Sequence, residues 1–372
     1  MKVISIFGTR PEAIKMAPVI AALEADPNFE SKVCVTGQHR EMLHQILSLF
    51  EIQPDFDLDI MQSSQDLNDI VARTMAGLTN VFMEYKPDYA LVQGDTTTAM
   101  ASALAAFYHH VKVGHVEAGL RTGNLLAPWP EEANRRLVSV LTHVHFAPTK
   151  AAKDNLLREG VLESRVFVTG NSVIDALLST VARIEENDDL KVRCRSELPK
   201  ELDLSKRLIL VTGHRRESFG AGLQRVFSSI ATIARNNDVQ VIYPVHLNPI
   251  VYEAAHQILS GIENVFLTQP LDYQVFVYAM TQAYFIITDS GGIQEEAPAL
   301  GKPLLITRGV TERPEAVLAG TGLLVGTDPH RLMQEAGRLL NDAAFYKSMS
   351  RRHNAFGDGH AAHHILKALK NA

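Results

Sequence analysis

The sequence predicts an α/β fold made of two doubly wound, Rossmann-like domains facing a cleft. Three observations carry this expectation. Short runs that are apolar throughout alternate with longer stretches of helical period, the pattern of strands buried on both faces of a parallel sheet. The series of strands and helices runs through the first half and then starts again in the second. At 372 residues the chain is too long for one ordinary core, and domains usually hold about 100–200 residues.

In order, the first half offers candidate strands at Lys2–Phe7, Lys32–Thr36, Tyr89–Gln93, Val111–His115, His143–Phe146 and Val166–Val168. Helical stretches at Pro11–Glu24, Glu41–Leu49, Asp69–Tyr85 and Thr96–His109 separate them, the first opening on a proline suited to a first helical position. The second series places strands at Leu208–Thr212, Gln240–Pro244, Val265–Thr268, Tyr284–Thr288, Leu304–Ile306 and Gly322–Val325, with the junction near Thr169–Val173. The charged segment Arg183–Lys206 reads as an exposed helix and loop of the second domain.

Composition narrows the function classes. A net charge of −6 is not the profile of a general nucleic-acid binder, so an anion site has to come from placed residues. Cys34 and Cys194 make neither a disulfide framework nor a cysteine-rich zinc site, and both read as core residues. His360, His363 and His364 lie close together but lack acidic or cysteine partners, so no metal is expected. The apolar start Val3–Phe7 is too short for a signal-peptide core, and no run approaches the ~18 apolar residues of a membrane span. The expectation is a soluble cytoplasmic protein with no membrane partner.

Ligands of such sheets bind beyond the carboxyl ends of the strands, and the cleft between two such domains is the default site. After the first strand come Gly8-Thr9-Arg10-Pro11, with Lys15 about one turn into the helix; free amides and two cations there suit phosphate, against a solvated basic helix start. Asp95 ends the strand at Gln93, with helix capping as its alternative role. Glu117 lies in or just past an apolar run, where a carboxylate needs a partner; an ion pair with Arg121 is the alternative reading. Glu131 follows Pro130 at a helix start, where acidic residues suit the dipole, and its case rests on the company of the other two carboxylates. In the second half His214 follows a strand. The run Asp289-Ser290-Gly291-Gly292 between strand and helix exposes amides to an anion, Glu296 in that helix could accept from a ribose diol, and Arg313 adds a cation. Neither a nicotinamide fingerprint nor a Walker lysine motif is present, so no cofactor is expected.

These segments together resemble the bacterial non-hydrolysing UDP-N-acetylglucosamine 2-epimerases. The matching stretches are FGTRPEAIKMAP from Phe7, QHREML from Gln38, GDTTT from Gly94, GHVEAGLRTG from Gly114 and PWPEEANRR from Pro128. They continue with GHRRESFG from Gly213, PVHLNP from Pro244, TDSGGIQEEAPALGKP from Thr288 and TERPEA from Thr311, in one order along nearly the whole chain. The resemblance implies the GT-B-like glycosyltransferase fold, usually as a homodimer. It also implies an N-terminal domain of residues 1–170 to which a C-terminal helix, 360–372, returns, and a UDP-binding domain of residues 171–359. By the same match Arg10, Lys15, Ser290, Gly291, Gly292, Glu296 and Arg313 hold UDP, and Leu271 and Phe276 enclose the uracil. Asp95, Glu117, Glu131 and His214 fall at catalytic positions. Gln38, His39, Glu41, Arg215 and His246 match a region where a second UDP-N-acetylglucosamine acts as an activator. The chain departs from the family pattern at Leu271, Gly309 and Val310.

The implied chemistry is inversion at carbon 2 of the sugar, giving UDP-N-acetylmannosamine for surface polysaccharide synthesis. The carbon 2 hydrogen is not acidic, since no carbonyl adjoins it. The family route breaks the anomeric carbon–oxygen bond as a base removes that proton, through 2-acetamidoglucal, and UDP then adds back. A hydrolysing epimerase that releases N-acetylmannosamine and a UDP-sugar glycosyltransferase are the rival enzymes, and a non-catalytic nucleotide-sugar sensor is the third reading. A sensor could lose the three carboxylates; this chain keeps them.

Overall fold

The structure, a computed structural model, describes residues 1–37, 40–62, 65–213, 215 and 219–371, with the backbone alone for residues 40–42. The chain divides into two units: Met1–Ala176 with Phe356–Ala372, and Leu177–Ala355. Each is a doubly wound, Rossmann-like α/β unit.

Among the described residues the first unit has strands β1 (Lys2–Phe7), β2 (Glu30–Val35), β3 (Phe56–Asp57), β4 (Tyr89–Gln93), β5 (Lys112–Val116), β6 (Val144–Ala147) and β7 (Val166–Val168). They form one parallel sheet in the order β3-β2-β1-β4-β5-β6-β7. The order reverses between β1 and β4, the switch point beside which ligands of such sheets bind. Ile4, Ile6, Val92 and Val113 from the strands pack with Leu78, Phe82 and Val138 from helices Leu67–Tyr85 and Glu131–Leu141. A fully buried aliphatic side chain of this kind contributes about 1.5–3 kcal/mol.

The second unit has β8 (Arg207–Thr212), β9 (Val239–Pro244), β10 (Val265–Thr268), β11 (Ala283–Thr288), β12 (Leu304–Ile306) and β13 (Gly322–Leu324). Its parallel order, β10-β9-β8-β11-β12-β13, puts the switch point between β8 and β11. Phe227, Ile230 and Leu339 of flanking helices close over Ile209, Val241 and Ile287.

The C-terminal helix Ala361–Lys370 packs on helix Arg10–Ala25 of the first unit. The Asp175 carboxylate accepts the Ala361 and Ala362 amides at 3.1 and 2.9 Å and so caps the helix start. Lys370 at its far end pairs with Asp26.

Two expectations need correction. The edge strand β3 was not expected, because two residues set among aspartates carry no strand period; it exists through its pairing with β2, Phe56 opposite Cys34. The segment Arg183–Lys206 is not simply exposed. Cys194, Leu198 and Leu202 are buried, and the Arg195 guanidinium holds the Pro199 and Leu202 carbonyls. Both cysteines are free and buried. Among the described residues no helix is long and apolar enough to cross a membrane, and no cluster could hold a metal ion.

Candidate functional site

In the first unit the site is built at the carboxyl ends of β1, β4 and β5. The turn after β1 does not present free amides as expected. The buried Glu12 carboxylate accepts the Gly8 and Thr9 amides at 3.0 and 2.8 Å and the Thr96 hydroxyl at 2.6 Å. Burial pushes its carboxyl above the ordinary range, against the lowering effect of those hydrogen bonds. The Gly8 and Thr9 amides are thus taken up by a carboxylate, and of the features expected to suit phosphate here the side chains of Arg10 and Lys15 are left. Lys15 already pairs with Glu117.

Glu117, just past β5, is buried and has φ of +66°, a left-handed conformation unusual outside glycine. Such a conformation costs about 1–3 kcal/mol and persists only where its surroundings hold it, and these conformations cluster at active sites. Here Lys15 and the Asn171 amide, at 2.8 Å, both donate to the carboxylate. The alternative pairing with Arg121 does not occur; that guanidinium is taken by Glu159 and the Ser139 hydroxyl. Gly94, at the end of β4, lies against Glu117: a Cβ on it would sit 3.9 Å from Oε1.

Asp95 follows Gly94 and is not the helix cap. Thr96 is, accepting the Ala99 amide at 3.0 Å. The Asp95 carboxylate instead pairs with the buried Arg135, and its carbonyl accepts from the Asn134 side chain at 3.0 Å. Arg135 and Asn134 come from helix Glu131–Leu141, the helix that Glu131 begins. Two adjacent glutamates there do different things. Glu132 is fully buried and accepts from the Thr122 and Gly123 amides and from Arg135. Glu131 has a buried oxygen, Oε2, with no hydrogen-bond partner among the described residues. Asp95 and Glu117 thus lie close together at the ends of β4 and β5, and Glu131 opens the helix whose Arg135 holds Asp95.

In the second unit the helix Gly291–Ala299 begins beyond β11 at the switch point, with Ser290 before it. The Gly291 and Gly292 amides have no backbone or side-chain partner among the described residues, in contrast to Gly8 and Thr9. Gly291 is required here: a Cβ would come 2.7 Å from a terminal nitrogen of Arg313. That guanidinium is pinned by Glu295 on one side and by Glu312, at 2.7 Å, on the other. Burial alone would raise the Glu312 carboxyl, but Arg313 and Arg308 beside it hold it down to about 2. Glu296, buried in the same helix, receives the Tyr273 hydroxyl at 3.4 Å. Leu271 and Phe276 flank Tyr273 in sequence and are both half-buried. The buried Asp289 accepts the Arg215 amide at 2.9 Å. His246 is exposed and takes the Asn248 amide on Nδ1. The departures at Gly309 and Val310 fall on an exposed loop tip.

The expectations for His214, Gln38 and His39 lie outside the described residues, as does the side chain of Glu41. Sequence reasoning missed Glu12, Asn171, Arg135, Glu295 and Tyr273. For Glu12 a signal existed, since Thr9 and Glu12 have the spacing of a capping box. The others meet their partners only in the fold.

A family model described as UDP-N-acetylglucosamine 2-epimerase matches residues 21–370. The UDP-N-acetylglucosamine 2-epimerase of Yersinia pestis is 58% identical over 372 residues, covering 100% of this chain and 99% of that one. A crystal structure of UDP-GlcNAc 2-epimerase from Neisseria meningitidis bound to UDP-GlcNAc is similar with a TM-score of 0.95 and 47% identity over 100% of both chains. A co-structure of S. aureus MnaA with UDP is similar with a TM-score of 0.89 and 45% identity, covering 100% of this chain and 96% of that one.

Proposed function

The chain belongs to the UDP-N-acetylglucosamine 2-epimerase family, and from that premise we propose that it interconverts UDP-N-acetylglucosamine and UDP-N-acetylmannosamine without net hydrolysis. A carboxylate removes the carbon 2 proton as the bond from the anomeric carbon to UDP breaks. The electron pair of the carbon–hydrogen bond becomes the new carbon–carbon double bond, and the pair of the broken carbon–oxygen bond leaves on UDP. The product, 2-acetamidoglucal, is then protonated on the opposite face while a UDP oxygen returns to the anomeric carbon. No electrons are gained or lost, so the route needs no oxidant.

The observation that carries this reading is a division of chemistry between the units. Ser290, the amides of Gly291 and Gly292, unpaired among the described residues, and the pinned Arg313 form an anion-accepting helix start in the second. Asp95 and Glu117 stand at the carboxyl ends of β4 and β5 in the first, and Glu131 opens the helix whose Arg135 holds Asp95. A diphosphate leaving group needs the former, and proton transfer on two faces of a sugar needs the latter. A positioned acid or base is worth about 10²–10⁴-fold and a charge-assisted hydrogen bond roughly 1.5–3 kcal/mol, so several must act together. Arg10 and Lys15 assist with the diphosphate, Glu296 and Tyr273 with the ribose, and Leu271 and Phe276 with the base. His214 acts at the leaving oxygen.

Turnover in deuterated water followed by NMR tests the route. Deuterium at carbon 2 of recovered nucleotide sugar is expected; product retaining its original hydrogen refutes it. Chromatography separates the hydrolysing rival, which would release free sugar and UDP.

The same reading includes a homodimer, and Gln38, His39, Glu41, Arg215 and His246 as the place of a second, activating nucleotide sugar. Exposed Met83, Phe107, Tyr108, Leu137 and Val140, on three neighbouring helices of the first unit, support self-association. A monomer in light scattering removes the first of these additions, and a rate that depends hyperbolically, without sigmoidal curvature, on UDP-N-acetylglucosamine concentration removes the second.

A further inference from the structure

Arg135 stands apart from the residues assigned above. It is 5% exposed, its Nε has no partner among the described residues, and its two terminal nitrogens go to two different carboxylates. One donates to Asp95, and the other donates to Glu132 at 3.2 Å. Glu132 in turn holds the amides of Thr122 and Gly123, the first residues of the loop that leads to Glu131. Asn134 holds the Asp95 carbonyl from the same helix.

The Asp95 side chain remains 25% exposed, and Arg135 binds its Oδ2 while Oδ1 has no partner among the described residues. One oxygen is therefore anchored and the other is available. A carboxylate on a loop beyond a strand has rotational freedom about two side-chain bonds, and proton transfer tolerates little misplacement. A fork held rigidly by a buried carboxylate on its other side removes that freedom, which a lysine, with its single charged point, does less well.

We infer that Arg135 is the positioning residue of Asp95: braced by Glu132, it fixes which Asp95 oxygen faces the sugar, and it joins Asp95, the 122–130 loop and the start of the Glu131 helix into one unit. The inference rests on the carbon 2 chemistry proposed above.

The test is a double-mutant cycle on the full-length protein, with turnover of UDP-N-acetylglucosamine read by NMR, UDP affinity by calorimetry and folding by thermal melting. Arg135→Met should lower kcat about 10–100-fold, less than the roughly 10²–10⁴-fold that a positioned acid or base contributes because Asp95 is loosened and not removed, while UDP affinity stays within about twofold. In an Asp95→Asn background the same change should cost less than about threefold more, because a group that acts through Asp95 has nothing left to position. Arg135→Lys should recover part of the loss and serves as the second arm of the cycle should the methionine variant fail to fold. Losses that multiply in the double variant overturn the inference and make Arg135 a purely structural residue, as does a wild-type kcat in Arg135→Met. A wild-type protein inert towards the nucleotide sugar instead refutes the proposed function, so the two failures are distinguishable.

Discussion

Glu131 and Glu132 are adjacent, both acidic and both in the first turn of one helix, yet the structure assigns them opposite sensitivities to the same change. Glutamine is nearly isosteric with glutamate and removes the charge. At Glu132 the carboxylate is fully buried and receives two backbone amides and Arg135. Glutamine leaves one acceptor oxygen for three donors, turns an NH₂ towards an amide donor and leaves Arg135 with one carboxylate fewer. Breaking one side of a buried pair costs about 3–5 kcal/mol. At about 2–4 °C per kcal/mol for a domain of this size, the first unit should melt roughly 6–20 °C lower. At Glu131, Oε2 has no partner among the described residues, so glutamine breaks no described hydrogen bond and stability should hold. Turnover by Glu131→Gln should nevertheless fall at least ~10²-fold, the ordinary worth of a positioned acid or base. Calorimetric melting and NMR turnover on both variants make the comparison. The reasoning fails if Glu131→Gln is destabilised as much as Glu132→Gln, or if it turns over at the wild-type rate.

Two further predictions come from other parts of the molecule. Gly291→Ala should weaken UDP binding about 10–150-fold, equivalent to one charge-assisted hydrogen bond of roughly 1.5–3 kcal/mol, because the new methyl must push Arg313 away from the two carboxylates that pin it; an unchanged affinity by calorimetry would separate Arg313 from the phosphates. Stability should fall with acidity before most carboxylates titrate. His115 and His145, in register on neighbouring strands, are buried and held neutral, chiefly by burial, with values lowered to about 4 and about 3. Below an unfolded value near 6.5 the unfolded chain takes up protons that the fold refuses, so the stability is complete at pH 7 and lost as pH falls from about 6.5 towards 4. From pH 7 to 5.5 the two together should cost about 2–3 kcal/mol, and a denaturant midpoint that does not move over that range would contradict their burial as neutral rings.

The fold was legible where burial is continuous. β1, β4 and β11 are apolar over nearly their whole length and nearly fully buried, and their positions were read to within a residue. β3 was not, because Phe56 and Asp57 become a strand only by lying against β2. At the site, the residue types beyond each strand were legible, but not their state. The Gly8 turn and the Gly291 helix start look alike as short glycine-bearing strand exits. The first is filled by its own Glu12 and the second is left open.

By itself the sequence determined the kind and order of the longer strands and helices and which chemical groups stand at the strand ends, since burial period, capping and turn preference depend on neighbours a few residues apart. Only the tertiary structure decided which carboxylate is spent on which cation. Glu117 is 54 residues from Asn171 and Asp95 is 40 from Arg135 along the chain. Pairing of that range is decided by distance in space and by the loss of water around the charges, which no local pattern encodes.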